Sequence, residues 1–159
     1  MRADIWNPSA LADRTITLVT KDTDYYQGGS IGTVYIDLGT ISTVSRFTRH
    51  TIDRDLYMVF RAITAFNAAD YIIPFLVDDT VAAMNSTLAK VWQGQPTVTA
   101  IVWPIGQKWS YRAPEQVRRY MILGATAKSS GSYTGTTVES YWEHGANAGN
   151  AVSLGGTSL

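Results

Sequence analysis

Arg54 to Asp79 reads RDLYMVFRAITAFNAADYIIPFLVDD, and the rest of the chain is organised around it. Two strongly apolar strands are written here, about Leu56–Phe66 and Tyr71–Val77. Asn67-Ala68-Ala69-Asp70 between them is a polar and small-residue connection suited to a hairpin-type turn. In the first strand Tyr57, Val59, Arg61, Ile63 and Ala65 share one face, and Leu56, Met58, Phe60, Ala62, Thr64 and Phe66 the other. Both faces carry apolar residues, so the strand is expected to be covered on both sides, by a second sheet or a neighbouring subunit. Pro74 donates no ladder hydrogen bond and predicts an edge position or a bulge in the second strand.

Outward from this stretch, short strands separated by turn residues recur. Thr15–Thr20, Thr33–Leu38, Leu88–Trp92, Thr97–Trp103, Arg118–Ala127 and Thr136–Trp142 have β-type patterning. Val81, Met84, Leu88 and Val91 also keep helical spacing, but a lone helix would be out of place here, so a short turn with Asp79 as its cap is expected before a strand at Leu88. Lys21–Ser30 and Ile105–Gln116 read as loops. Seven or eight strands at this spacing predict an all-β, jelly-roll-like β-sandwich. It would span residues 15–142, with an extended N-terminal arm over 1–14 and a glycine-rich, flexible C-terminal tail over 143–159.

Composition narrows the function classes. The 159 residues carry 13 basic and 13 acidic side chains, so no long-range attraction to nucleic acid or anionic lipid is expected. Only 16% of residues are charged, below the roughly 25% usual for soluble domains. Ser, Thr, Gly, Ala and Asn supply the polarity instead, which suits a β-rich protein that meets other protein surfaces. No apolar run approaches the ~18 residues of a membrane span, and no export signal is recognisable at the N-terminus. There is no cysteine, which excludes disulfide and thiol chemistry.

Candidate chemistry is sparse. His50 and His144 lack partners at metal-ligand spacing, so no metal or cofactor is expected. Any of the close carboxylate pairs Asp22/Asp24, Asp53/Asp55, Asp78/Asp79 and Glu139/Glu143 has the chemistry for a glycosidase dyad or a calcium site, but none has the EF-hand pattern and Asp/Asp pairs are common in β-turns. Trp92, Trp103, Trp109, Tyr111 and Tyr120 lie close in sequence. They serve either as core and interface packing, the commoner use, or as a stacking platform for sugars or bases. The arginines at 46, 49, 54, 118 and 119 read equally as protein contacts or as paired surface charge.

Tyr35-Ile36-Asp37-Leu38-Gly39, Arg54-Asp55-Leu56-Tyr57-Met58-Val59-Phe60, Thr64-Ala65-Phe66 and Asp78-Asp79-Thr80-Val81-Ala82-Ala83-Met84 follow one another in an order that resembles the first half of tailed-bacteriophage capsid cement (decoration) proteins. Val98–Pro104, Arg119-Tyr120-Met121-Ile122-Leu123, Gly131-Ser132-Tyr133-Thr134-Gly135 and the Val138 strand resemble the second half. The resemblance covers about residues 34–142 and departs at Thr40–Asp53 and at both termini. It implies a non-enzymatic, homotrimeric jelly roll on the outer surface of the virion head, clamping neighbouring major capsid proteins. Under that reading Arg46, Phe47 and Arg49 are the candidate capsid contacts, and Tyr111, Arg118 and Tyr120 the candidate trimer contacts. The rival reading is a carbohydrate-binding β-sandwich of a phage tail or fibre that stacks sugars on Trp103, Trp109 and Tyr111. A hydrolase built on one carboxylate pair is the third.

Overall fold

The computed structural model describes residues 14–32, 34–38, 50–51, 56–85, 88–97, 103–144, 152–153 and 156–158. The strands, in chain order, begin with β1 (Thr15–Leu18), β2 (Asp24–Tyr26), β3 (Ile36–Asp37), β4 (His50–Thr51), β5 (Leu56–Ala62), β6 (Asp70–Asp79) and β7 (Ala89–Gly94). They continue with β8 (Lys108–Arg112), β9 (Gln116–Val117), β10 (Tyr120–Ser129), β11 (Thr136–His144), β12 (Val152–Ser153) and β13 (Gly156–Ser158).

Two sheets face each other across one core. The five-stranded sheet runs β1-β11-β5-β8-β12, and the six-stranded sheet runs β13-β7-β6-β10-β2. Taking β1, β2, β5, β6, β7, β8, β10 and β11 as the main strands, the first pairs with the eighth, the second with the seventh, the third with the sixth and the fourth with the fifth. Cross-pairs β11–β5 and β10–β6 join these ribbons into sheets. Nested antiparallel pairing of this kind is a long double ribbon rolled into a sandwich, the jelly-roll arrangement. The expected fold class is therefore the observed one.

The central stretch behaves differently from a hairpin. β5 and β6 lie in different sheets, so Ile63–Ala69 carries the chain from one layer to the other. β5 stops at Ala62, and Ile63 and Thr64 turn their amides to the Thr137 carbonyl. Phe66, instead of ending a strand, is buried against Trp109 with ring centroids 5.2 Å apart. The Asn67–Asp70 turn exists, closed by the Asp70 amide on the Asn67 carbonyl at 2.9 Å. Among the main strands, the sequence neighbours that share a sheet are β6 and β7.

Pro74 sits in a central strand rather than at an edge, opposite Ala125 of β10. Ile72 exchanges hydrogen bonds with Thr97 on the β7 side, and backbone groups of residues two apart point the same way. The missing donor of Pro74 therefore faces away from β10, where the β7 ladder has yet to begin at Phe75. The expected bulge is present two residues on, between Leu76 and Val77.

Three further expectations are corrected. The segment read as a Lys21–Ser30 loop contains β2, whose ladder the Gln27 side chain extends by accepting from the Leu123 amide and donating to the Ser140 carbonyl. The Ile105–Gln116 loop contains β8, which lies between β5 and β12. The tail is not wholly outside the sandwich: β11 runs on to His144, β12 adds in parallel to β8, and β13 adds antiparallel to β7. The strand at Leu88–Trp92 is found as β7. Asp79 caps a turn, its Oδ1 accepting from the amides of Thr80 at 2.6 Å and Val81 at 3.3 Å. Most of the arm, the Thr40–Arg49 connection and residues 98–102 lie outside the described residues.

The inter-sheet core takes Leu56, Met58, Phe60 and Ala62 from β5, Trp109 and Tyr111 from β8, and Met121, Leu123 and Ala125 from β10. The opposite face of the six-stranded sheet carries a second apolar cluster of Phe75, Val77, Met84 and Ile122. Two loops meet there: a side chain in place of Gly32 (φ +81°) would stand 2.8 Å from the Ala83 carbonyl oxygen.

Candidate interface

Among the described carboxylates nominated for chemistry, all but Glu143, whose Oε2 is buried without a hydrogen-bond partner, have structural partners. Asp22 pairs with Lys128 at 2.6 Å, and this ion pair holds the Asp22 carboxyl below its ordinary range and the lysine above its own. Asp24 pairs with Lys90 at 2.6 Å and accepts from the Thr126 hydroxyl. Glu139 is held between Arg14 at 2.9 Å and Arg61 at 2.5 Å. Asp53 and Asp55 lie outside the described residues. Among the described residues no group of three or more His, Asp or Glu converges as a metal site.

The aromatic cluster is a core. Trp92 meets Tyr111 edge-on at 5.1 Å, Tyr111 meets Phe60 at 5.9 Å, and Trp103 meets Trp109 at 5.7 Å. Each such pair adds about 0.5–1.5 kcal/mol beyond the area it buries. Trp109 and Tyr111 are both 0% exposed, because the period-2 pattern of Lys108-Trp109-Ser110-Tyr111-Arg112 turns both rings inward. Tyr111 therefore presents no surface to a second subunit, and Trp109 and Tyr111 present none to a sugar; both expectations are corrected.

Arg118 and Tyr120 lie at the start of β10, and only one of them is open to a partner. Arg118 is folded onto the fully buried Asp78: its amide donates to Oδ2 at 2.8 Å, Nε to Oδ1 at 2.6 Å, and Nη2 to the Asp78 carbonyl at 2.6 Å. It works as an internal clamp between β6 and the β9–β10 junction. Next to it, Arg119 makes a two-pronged bond to Asp37, Nε to Oδ1 at 2.7 Å and Nη2 to Oδ2 at 2.9 Å. This raises the arginine's already high pKa further. The guanidinium lies 4.8 Å from the centre of the Tyr120 ring, and Tyr120 meets the exposed Tyr35 edge-on at 5.3 Å. Tyr35, Tyr120 and Arg119 thus form a braced, part-exposed aromatic–cation patch.

The same corner roots the connection that carries Arg46, Phe47 and Arg49. The Leu38 amide donates to the Arg119 carbonyl at 2.9 Å, and His50 returns opposite Val117 in the β4–β9 pair. Arg46, Phe47 and Arg49 themselves lie outside the described residues. Arg119 was read from sequence equally as a protein contact or as paired charge, and it is paired; Tyr35 was not among the nominated contacts. The signal for Tyr35 was the alternation Tyr35-Ile36-Asp37, which puts Ile36 in the core and its neighbours outward. Compared with models of protein families and with curated proteins, the chain matches none.

Proposed function

We propose that the protein is a non-enzymatic virion component that binds the outside of an assembled tailed-phage head and cements neighbouring major capsid proteins, with a homotrimer as the attaching unit. The observation that carries this reading is the convergence at one corner of the sandwich. The braced Tyr35–Tyr120–Arg119 patch stands beside both ends of the connection that bears Arg46, Phe47 and Arg49. Aromatic and arginine side chains with little rotamer freedom left to lose are what protein interfaces favour at their energetic centres. The motif order that resembles cement proteins supplies the capsid as the partner. The jelly roll supports the reading only as a suitable scaffold, since one fold serves many functions.

A site divided between neighbouring capsid proteins exists only in the assembled lattice. Binding there stabilises the shell by mass action, and three linked copies multiply weak contacts. Arg46, Phe47 and Arg49 are the proposed lattice contacts, and Tyr120, with Tyr35 beside it, the proposed contact between subunits. The test is to heat expanded heads of the same phage with and without saturating protein and follow shell disruption by light scattering. Cementing raises the disruption temperature by several degrees; unchanged disruption overturns the proposal.

A further inference from the structure

Every described ladder in the molecule is antiparallel except the pairing of β12 with β8. β11 and β12 therefore run in the same direction, with β5 and β8 between them. Only the seven residues 145–151 join these two strands. Parallel strands of one sheet are ordinarily joined by about a dozen residues or more. The register fixes how far this short connection has to go. His144 stands opposite Leu56, one step beyond the Tyr57–Arg112 pair. Val152 re-enters opposite Trp109, level with Phe60 and Ser140. The chain has to return about 13 Å along the strands and cross about 14 Å of sheet, a straight line of about 19 Å. Eight Cα steps reach about 26–29 Å. The straight line is blocked by β5 and β8 themselves, and passing over or round two strands uses most of the difference.

We propose that the tail is exchanged between copies of this chain: β12 and β13 of one subunit add to β8 and β7 of its neighbour. The pairings stay those of the structure, and only the copy that supplies the strands changes. β8 and β7 are the edges to which the tail adds, one in each sheet, and they meet across the core where Trp92 packs on Tyr111. Leu154 and Gly155 alone separate β12 from β13, so one donated tail seals both edges. Strand addition of this kind works through main-chain hydrogen bonds and suits the small residues Ser153, Gly156, Thr157 and Ser158. A tail attached to its own sandwich gains effective concentration only where its linker spans the sites with ease, and that advantage vanishes as the span approaches the linker's reach. A tail arriving from a neighbour has no strands to cross. Donation round a closed ring gives every copy one tail and leaves neither edge bare. Exchange rests on the proposed homotrimer for the existence of an oligomer, and it needs no capsid.

The chain has no cysteine, so the full-length double variant Gln93→Cys, Thr157→Cys carries its only two thiols at opposed positions of the β7–β13 ladder. Opposed antiparallel residues have Cα atoms about 4.5–5.5 Å apart, inside the disulfide range of about 4.4–6.8 Å. The isolated protein is oxidised at a concentration where sedimentation velocity shows an oligomer, then denatured without reductant and sized. Most of it should run as covalent dimers and trimers, and neither single-cysteine variant should give a covalent trimer. A product of single-chain mass with both thiols consumed places the tail on its own sandwich; it overturns the exchange and leaves the homotrimer standing. No linkage in either form also overturns the exchange, because no copy's tail then lies on β7. A chain that sediments as a monomer at every concentration overturns the exchange and the homotrimer together.

Discussion

Gly124→Ala puts one methyl group where the six-stranded sheet has no room for it. Gly124 pairs with Phe75 in the centre of the β10–β6 ladder. An added Cβ would stand 2.3 and 2.4 Å from Cε2 and Cζ of the Phe75 ring and 2.7 Å from the Tyr25 carbonyl oxygen. The ring is fully buried and held on two sides, by the edge of Tyr26 at 5.6 Å and by the Lys90 ammonium 4.3 Å from its centre. The Tyr25 carbonyl is backbone and yields less still. Overpacking of this kind costs about 1–3 kcal/mol. Replacing a strand glycine by alanine returns about 0.5–1 kcal/mol through the unfolded chain. With a fixed ring and a backbone carbonyl in the way the cost lies in the upper part of that range, about 2–3 kcal/mol, so the net loss is about 1–2.5 kcal/mol, and at roughly 2–4 °C per kcal/mol for a chain of this size Tm falls by about 2–10 °C. Thermal and urea unfolding of Gly124→Ala, Phe75→Leu and the double variant check it. The double variant should be more stable than the sum of the singles by at least about 0.5 kcal/mol, because the smaller side chain releases the clash. A Tm for Gly124→Ala at or above wild type, or strict additivity, refutes the reasoning.

Asp78→Asn should cost about 2 kcal/mol in urea unfolding, because a fully buried carboxylate that takes both the amide and the guanidinium of Arg118 loses its charge. The largest contributions to alkaline stability come from two tyrosines: burial pushes Tyr133 up to about 12 and Tyr111 well above its ordinary value, and raises Tyr26 by less. The unfolded phenols ionise near pH 10, so the stability they confer is intact below about pH 10 and falls above it by about 1.4 kcal/mol per pH unit per tyrosine, until each folded-state pKa is passed. Tyr133→Phe should remove one of those two contributions in unfolding curves taken between about pH 9 and about pH 11. Truncation after His144 removes β12 and β13 and bares the β8 and β7 edges, so concentration-dependent self-association should appear in sedimentation velocity. Tyr120→Ala should weaken attachment to heads while shifting isolated-subunit stability by no more than about 1 kcal/mol, measured as binding against Tm on one preparation.

The parts of the fold that were legible are those whose burial repeats along the chain. β6, β10 and β11 are long and apolar, and their ranges were read to within two or three residues. β8 and β2 were missed because five and three residues with charged or polar members, flanked by proline and glycine, resemble loops locally. What makes Lys108–Arg112 a strand is its position between β5 and β12, which is tertiary information. The supposed hairpin failed for a related reason: adjacency in sequence does not say which sheet a strand joins, and a jelly roll sends most neighbours to opposite layers. The candidate interface was half legible. Arg118 and Tyr120 were picked out by composition, but Arg118 is claimed by an aspartate 40 residues away in sequence. Tyr111 looked like a surface aromatic only while its strand was taken for a loop.

The central claim is that this sandwich attaches to an assembled lattice and to nothing smaller. Co-sedimentation with expanded heads of the same phage, with its unassembled major capsid protein as control, tests that most directly. The account predicts saturable binding to heads and none to free subunits. Failure to sediment with correctly expanded heads, or equal binding to free subunits, would contradict it.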